Sequence, residues 1–299
     1  MKFGLHKMTW GNYFDPSDLG TFFNQAREAG AETVEFRPPD AAMNGEMRKI
    51  GEIRKMAEEN GLELLFSFAY PRGIDMRSED PGIREQAVNH LIRGIRAVKA
   101  LGGTKMGGVL YSDWPTRYDD DLLNRKIKYD RTKRSIECMQ KAMPTAEECG
   151  TLLYLEPLNR YENYIINTVS EGIEFLRQVS SSHCKLLLDV YHMNIEEDDI
   201  ESAILSAKGY IGHFHVSEPN RMIPHHAARI GWKGIGNALR AAGYDGTVTI
   251  EAVVTFDEEA TYPMRMWRDL LPDNSIEGRI EAMRKGLSYI RNQFEGSTI

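Results

Sequence analysis

Short apolar runs alternate with longer stretches of helical periodicity along the whole chain. Phe3–His6 is followed by a helix opened by Asp15-Pro16-Ser17, with Ser17 as N-cap and Gly30 just past the end. The cycle repeats with Thr33–Phe36 and a helix over Glu46–Asn60 stopped by Gly61, then Leu62–Phe68 and a helix over Pro81–Ala100. Thr104–Leu110 follows, with a charged helix through Lys141, and Pro144 should kink or end that helical stretch. Thr151–Leu155, Lys185–Val190, Tyr210–Val216 and Thr247–Glu251 complete the series, each with helical periodicity after it. Continuous apolar strands such as Lys185-Leu186-Leu187-Leu188 suit a parallel sheet buried on both faces. Eight such units in 299 residues come to about 37 each, which predicts an α/β fold, a single (β/α)8 barrel domain over residues 1–299. The open doubly wound alternative would place G-x-G-x-x-G after the first strand if it held a dinucleotide, and that signature is missing.

Charge narrows the function. With 37 Lys+Arg against 44 Asp+Glu the net charge is −7, and a dedicated nucleic-acid binder would want a basic face instead. The longest apolar runs are far too short to cross a bilayer, and the N-terminus enters a strand without a signal-peptide apolar region. Cys138, Cys149 and Cys184 show no C-x-x-C spacing and read as packing residues in a reducing compartment. These features predict a cytoplasmic protein with no membrane and no nucleic-acid partner.

The chemistry sits at the carboxyl ends of the predicted strands. The first strand ends in His6 and the second holds Glu35, while strands five to eight end in Glu156, Asp189, His215 and Glu251. In a barrel these ends converge on the face where active sites are built. A lone acid there is most often an N-cap or a loop partner, and two titratable residues of opposite charge could be an ion pair. Three carboxylates and an imidazole from four successive strands point to a divalent cation that keeps the acids ionised together. Such an oxygen-rich set suits Mn²⁺, Mg²⁺ or Co²⁺ better than a structural zinc site. Glu162, His192, Glu218 and Arg221 follow at short offsets on the loops and could hydrogen-bond the hydroxyls of a polyol. Gly231-Trp232-Lys233-Gly234-Ile235-Gly236 lacks the Lys-Ser/Thr ending of a phosphate loop, and His225-His226 reads as a solvent-facing pair.

Taken together, Glu156-Pro157-Leu158-Asn159-Arg160-Tyr161-Glu162, Leu188-Asp189-Val190-Tyr191-His192, Gly212-His213-Phe214-His215-Val216-Ser217-Glu218-Pro219-Asn220-Arg221 and Ile250-Glu251 resemble the ketose 3-epimerases. These are the D-tagatose and D-allulose (psicose) 3-epimerases of the xylose-isomerase-like TIM barrel superfamily. Gly107–Pro115, Ser78–Pro81 and Met266–Leu270 also look like family segments in family order. The resemblance implies that Glu156, Asp189, His215 and Glu251 hold the metal, with Glu156 and Glu251 as the acid/base pair. It further implies that Glu162, His192 and Arg221 hold the ketose near its first carbons, that Trp114 walls the pocket, and that His6 stands where many members place an aromatic near the substrate. Implied with them are Mn²⁺, or Co²⁺ or Mg²⁺ as substitutes, and a homodimer or homotetramer. The implied reaction is inversion at C3 of free ketoses such as D-tagatose, D-fructose/D-allulose or L-ribulose through a cis-enediolate. An aldose–ketose isomerase or a polyol dehydratase of the same superfamily is the alternative. A DNA-repair endonuclease on this barrel would want more histidine ligands and a basic surface, and a non-catalytic sugar binder would not need two opposed carboxylates.

Overall fold

The computed structural model describes residues 1–10, 18–116, 124–225, 229–256, 261 and 265–295. Eight parallel strands close into a barrel in sequence order. They are β1 (Lys2–His6), β2 (Thr33–Phe36), β3 (Glu63–Phe68), β4 (Lys105–Gly108), β5 (Leu152–Leu155), β6 (Cys184–Asp189), β7 (Ile211–Val216) and β8 (Thr247–Ile250). Closure is made by β1 against β8, with Lys2 opposite Thr247 and Leu5 opposite Ile250. All eight predicted strands are present within a residue or two of the apolar runs that announce them.

Helices cover the outside: α1 (Leu19–Glu28), α2 (Asp40–Met43), α3 (Met47–Asn60), α4 (Pro81–Ala100), α5 (Arg125–Cys149), α6 (Val169–Val179), α7 (Val190–Glu196), α8 (Ile200–Ser206), α9 (Trp232–Ala241) and α10 (Ile276–Glu295). α4 occupies the span read from the sequence because its start is chemically marked. Pro81 sits in the first turn and Asp80 Oδ1 accepts from the Gly82 N–H at 2.7 Å. Gly30 and Gly61 take the positive φ, +90° and +65°, that ends α1 and α3. The expected Ser17 cap lies outside the described residues. α5 runs through Pro144 for five more residues, so the proline does not end it. Pro144 is exposed, and the carbonyl one turn back at Gln140, left without its N–H partner, lies on the same solvated side.

Strand alternation sorts the side chains. On β2, Phe36 points outward and packs on Phe23 of α1 and Phe66 of β3, with centroids 5.5 and 5.1 Å away. Glu35 therefore points inward. On β7, Phe214 faces Phe294 of α10, while His213 and His215 point in. At the upper rim, Gly108 has φ +113°, and a Cβ there would lie 2.8 Å from the Phe68 carbonyl oxygen, so only glycine lets β4 approach β3 this closely.

Candidate active site

The upper ends of β5 to β8 bring Glu156, Asp189, His215 and Glu251 together, with one ligand-type atom from each within 4.8 Å of all the others. All four are buried. Asp189 is both the last residue of β6 and the N-cap of α7. Its Oδ1 accepts from the Tyr191 N–H at 3.0 Å, which leaves Oδ2 for the site. Arg221 reaches over from the loop after β7, where its Nη1 donates to Asp189 Oδ2 at 2.6 Å and to Glu251 Oε2 at 2.9 Å. Its guanidinium lies 3.8 Å from the centre of the Tyr191 ring. The Arg221 backbone holds φ +62°, in the left-handed region. Two backbone bonds of 2.8 Å pin it there, from its own N–H to Glu218 O and from the Val253 N–H to its carbonyl.

A second layer fixes the groups expected to hold the sugar. Glu162 accepts from the Trp114 indole N–H at Oε2 and from the Asn159 amide at Oε1, both at 2.9 Å. Asn159 also offers its backbone N–H to His192 Nδ1 at 3.1 Å. His192 Nε2 stands 3.3 Å from Arg221 Nη2, 3.6 Å from Glu156 Oε1 and 3.7 Å from Asp189 Oδ2. On either side of Trp114 in the chain, Asp113 joins Asp75 in binding Arg77, and Asn163 bonds Ser112 and Thr116 at 2.7 and 2.9 Å. His6 accepts from the Met8 N–H at Nδ1 (3.1 Å) and turns Nε2 toward Glu251 Oε1, 3.8 Å away.

Nine of the residues read from sequence thus meet around one pocket; Glu218 does not, because its carboxylate accepts from the Trp232 indole N–H at 2.9 Å and the Arg229 N–H at 3.3 Å. His6, Trp114, Glu156, Glu162, His192, Arg221 and Glu251 line its mouth and walls, with Met8, Ser67, Phe68, Ala69, Val109 and Leu158 between them. The space within it, counting the open solvent at its mouth, is about 470 Å³. Asp189 and His215 lie at its floor through their contacts to Arg221 and Glu251. His225 lines a separate groove with Leu271 and Tyr289, and His226 lies outside the described residues.

Electrostatics divides the two glutamates. Burial, reinforced by the Glu251 charge, pushes the Glu156 carboxyl well above the usual carboxylate range. Burial alone would raise Glu251 as well, but His215 and Arg221 hold it below that range. Without a bound cation, these surroundings favour the protonated form of Glu156 and the ionised form of Glu251. His215 is raised by Glu35 and Glu251 against burial, and His192 is lowered by burial.

This donor set fits a divalent cation. His215 Nδ1 is buried without a hydrogen bond and stands 3.5 Å from Glu251 Oε2, on the side of the three carboxylates. Sequence reading gave no role to Glu35, His213 or Asn159. Glu35 Oε2 lies 2.8 Å from His213 Nε2 and 3.0 Å from His215 Nε2, which are hydrogen-bond lengths. The available signals were an acid inside an apolar strand and a second histidine two residues from the first.

A family model, the xylose isomerase-like TIM barrel, matches residues 23–270. The D-psicose 3-epimerase of Ruminiclostridium cellulolyticum is 33% identical over 270 residues, 90% of each chain. The L-ribulose 3-epimerase of Mesorhizobium japonicum is 30% identical, with 91% of this chain and 89% of the relative aligned. Among solved structures, a D-psicose 3-epimerase determined in the presence of D-fructose superposes with a TM-score of 0.92 at 30% identity, covering 99% of this chain and 100% of that one. The barrel, the strand-end site and these full-length matches agree: the chain belongs to the xylose isomerase-like TIM barrel family and, within it, to the isomerase-class ketose 3-epimerases.

Proposed function

We propose that this protein inverts C3 of free, unphosphorylated ketoses by removing a proton from one face and returning one to the other. The observation that carries the reading is the pair Glu156 and Glu251. Both are buried in one pocket, with ligand-type oxygens within 4.8 Å of each other, so two carboxylates stand where an acid and a base can act on one bound sugar. Two groups are needed because a fixed carboxylate reaches only one face of a planar carbon. One glutamate takes the C3 proton to give a cis-enediolate, and the other donates to the opposite face. Their roles exchange with the direction of reaction. Glu162, His192 and Arg221 hydrogen-bond the oxygens near the carbonyl, with Asn159 and Trp114 keeping Glu162 in place. Trp114 and Leu158 shield the reacting end, and His6 lies beside Glu251. A free sugar suits the pocket because Arg221, the one guanidinium among its described lining residues, is already engaged by Asp189 and Glu251.

Glu156, Asp189, His215 and Glu251 would hold a divalent cation, Mn²⁺ first and Co²⁺ or Mg²⁺ as substitutes. When bound, such an ion supplies Lewis-acid polarisation and offsets the charge that develops on oxygen, worth several kcal/mol. D-Fructose/D-allulose, D-tagatose and L-ribulose are the substrates to test first, since D-psicose and L-ribulose 3-epimerases are among the relatives. A homodimer or homotetramer in the cytoplasm completes the reading, and light scattering distinguishes the two assemblies.

The deciding experiment is proton NMR in D₂O of Mn²⁺-loaded protein with D-fructose, D-tagatose, D-allulose, D-sorbose and L-ribulose. Deuterium at C3 together with the C3-inverted ketose is the expected result. Exchange at C1 with an aldose product would reassign the protein to the isomerases, and no exchange with any ketose would overturn the epimerase reading.

A further inference from the structure

Glu35 stands outside the strand-end cluster, and nothing in the reaction as described uses it. It is 1% exposed in the barrel interior, and its Oε1 makes no hydrogen bond. A buried carboxylate with an unpaired oxygen costs stability, and a residue kept for packing alone would be apolar. Its other oxygen, Oε2, accepts from two imidazoles of β7, His213 Nε2 at 2.8 Å and His215 Nε2 at 3.0 Å. β2 and β7 are not neighbours in the barrel, so these bonds cross its interior.

We propose that Glu35 is a positioning residue that selects the tautomer and fixes the ring of His215 so that its Nδ1 lone pair faces the cation site. This inference rests on the proposed function, in which Glu156, Asp189, His215 and Glu251 hold a divalent cation. A neutral imidazole carries one proton. With Oε2 of Glu35 accepting at Nε2, the proton stays there and Nδ1 is left as an acceptor. Nδ1 has no hydrogen bond and stands 3.5 Å from Glu251 Oε2. Without an acceptor at Nε2 the proton would move to Nδ1, where Glu251 would receive it, and the ligand lone pair would be lost. Glu35 thus chooses between a ligating and a non-ligating histidine, as carboxylates behind metal-bound imidazoles do elsewhere.

His213 has the supporting part. It donates to the same carboxylate oxygen, lies edge-on to His215 at 4.7 Å between ring centroids, and stacks on Tyr154 at 6.2 Å. It braces Glu35 and the His215 ring without competing for the Nδ1 face.

The test is calorimetric titration of Mn²⁺ into EDTA-stripped wild type, Glu35→Gln, Glu35→Asp and His213→Gln, with thermal midpoints of the metal-free proteins alongside. Glu35→Gln should raise the Mn²⁺ Kd by about 10- to 100-fold, and it should also lower the metal-free midpoint, since two charge-assisted hydrogen bonds are weakened. The deciding readout is therefore Kd: a role confined to packing would lower the midpoint and leave Kd alone. Glu35→Asp, which keeps the charge on a shorter arm, should fall between wild type and Glu35→Gln, and it carries the test if the amide variant does not fold. His213→Gln, which leaves the Glu35–His215 bond in place, should change Kd by less than about threefold, since only the brace is lost. Unchanged Kd in both Glu35 variants, or equal weakening in His213→Gln and Glu35→Gln, overturns the inference while the proposed function stands. Wild-type protein that takes up no Mn²⁺ overturns the cation site itself and this inference with it.

Discussion

Replacing Glu156 and Glu251 separately by Gln should distinguish two roles that turnover alone would merge. Burial and the neighbouring Glu251 charge favour the protonated form of Glu156 in the metal-free site. Gln is close in shape to a protonated carboxyl, so Glu156→Gln should change metal-free stability by less than about 1 kcal/mol. Glu251 is ionised, with Oε2 2.9 Å from Arg221 Nη1 and 3.5 Å from His215 Nδ1. A hydrogen bond to a charged group contributes about 1.5–3 kcal/mol. Gln keeps an acceptor but not the charge, and Asp189 still holds Arg221, so Glu251→Gln should lose about 2–3 kcal/mol. At about 2.1 cal/mol/K per residue, the unfolding entropy of 299 residues is about 0.6 kcal/mol/K. The midpoint of Glu251→Gln should therefore drop by about 4 °C and that of Glu156→Gln by less than about 2 °C. The assay is differential scanning calorimetry in EDTA at pH 7, paired with C3 exchange on the Mn²⁺-loaded proteins. Exchange should fall at least about 10³-fold in both variants. Equal destabilisation would refute the proton placement, and substantial exchange by either variant would remove that glutamate from the acid/base pair.

Asn159→Ala removes one donor from Glu162 and loosens the support of His192 Nδ1, so KM should rise about tenfold, with kcat changed less; steady-state kinetics on the preferred ketose checks the split. His90, buried against Phe68 and Tyr70 and facing Arg93, has its pKa pushed down to about 4 by burial first and the arginines second. The unfolded chain binds this proton from about pH 6.5, so the stability due to His90 is full above that pH and is lost as pH falls toward 4, by at most about 3 kcal/mol. Urea midpoints of wild type and His90→Gln between pH 7 and 4 should converge toward the acid end, and parallel profiles would refute the assignment. Pro144→Ala restores an N–H donor on the solvated face of α5 and should raise the thermal midpoint by about 2–5 °C, given a cost of up to about 3 kcal/mol for an interior proline; a fall would show that the proline fits its backbone without cost.

What the sequence revealed and what it concealed separate along one physical line. Strands buried on both faces must be continuously apolar, so a polar residue ending such a run, as Asp189 ends Leu186-Leu187-Leu188, stands out in the bare sequence. Parallel connectivity then carries those ends to one rim, and six of the nine expected site residues are found on β1 and β5–β8 or within four residues of their ends. Local chemistry was equally plain where a cap is written in adjacent residues, as Asp80-Pro81 opens α4. Contacts that depend on closure were hidden. Glu35 meets His213 and His215 only because β2 and β7 face each other across the barrel, and no local period encodes that distance. The support of the groups expected to hold the sugar was hidden for a related reason: Asn159 reaches His192 on another element, and Arg77 reaches Asp113 next to Trp114 in the chain, through loop paths that packing decides. Pro144 does not end α5 because the helix loses one bond at an exposed carbonyl that water can serve. Residues expected to touch the substrate were therefore readable from strand ends, while those that orient them were not. For this chain the second group, Glu35 foremost, is where mutation should alter cation binding without touching the sugar.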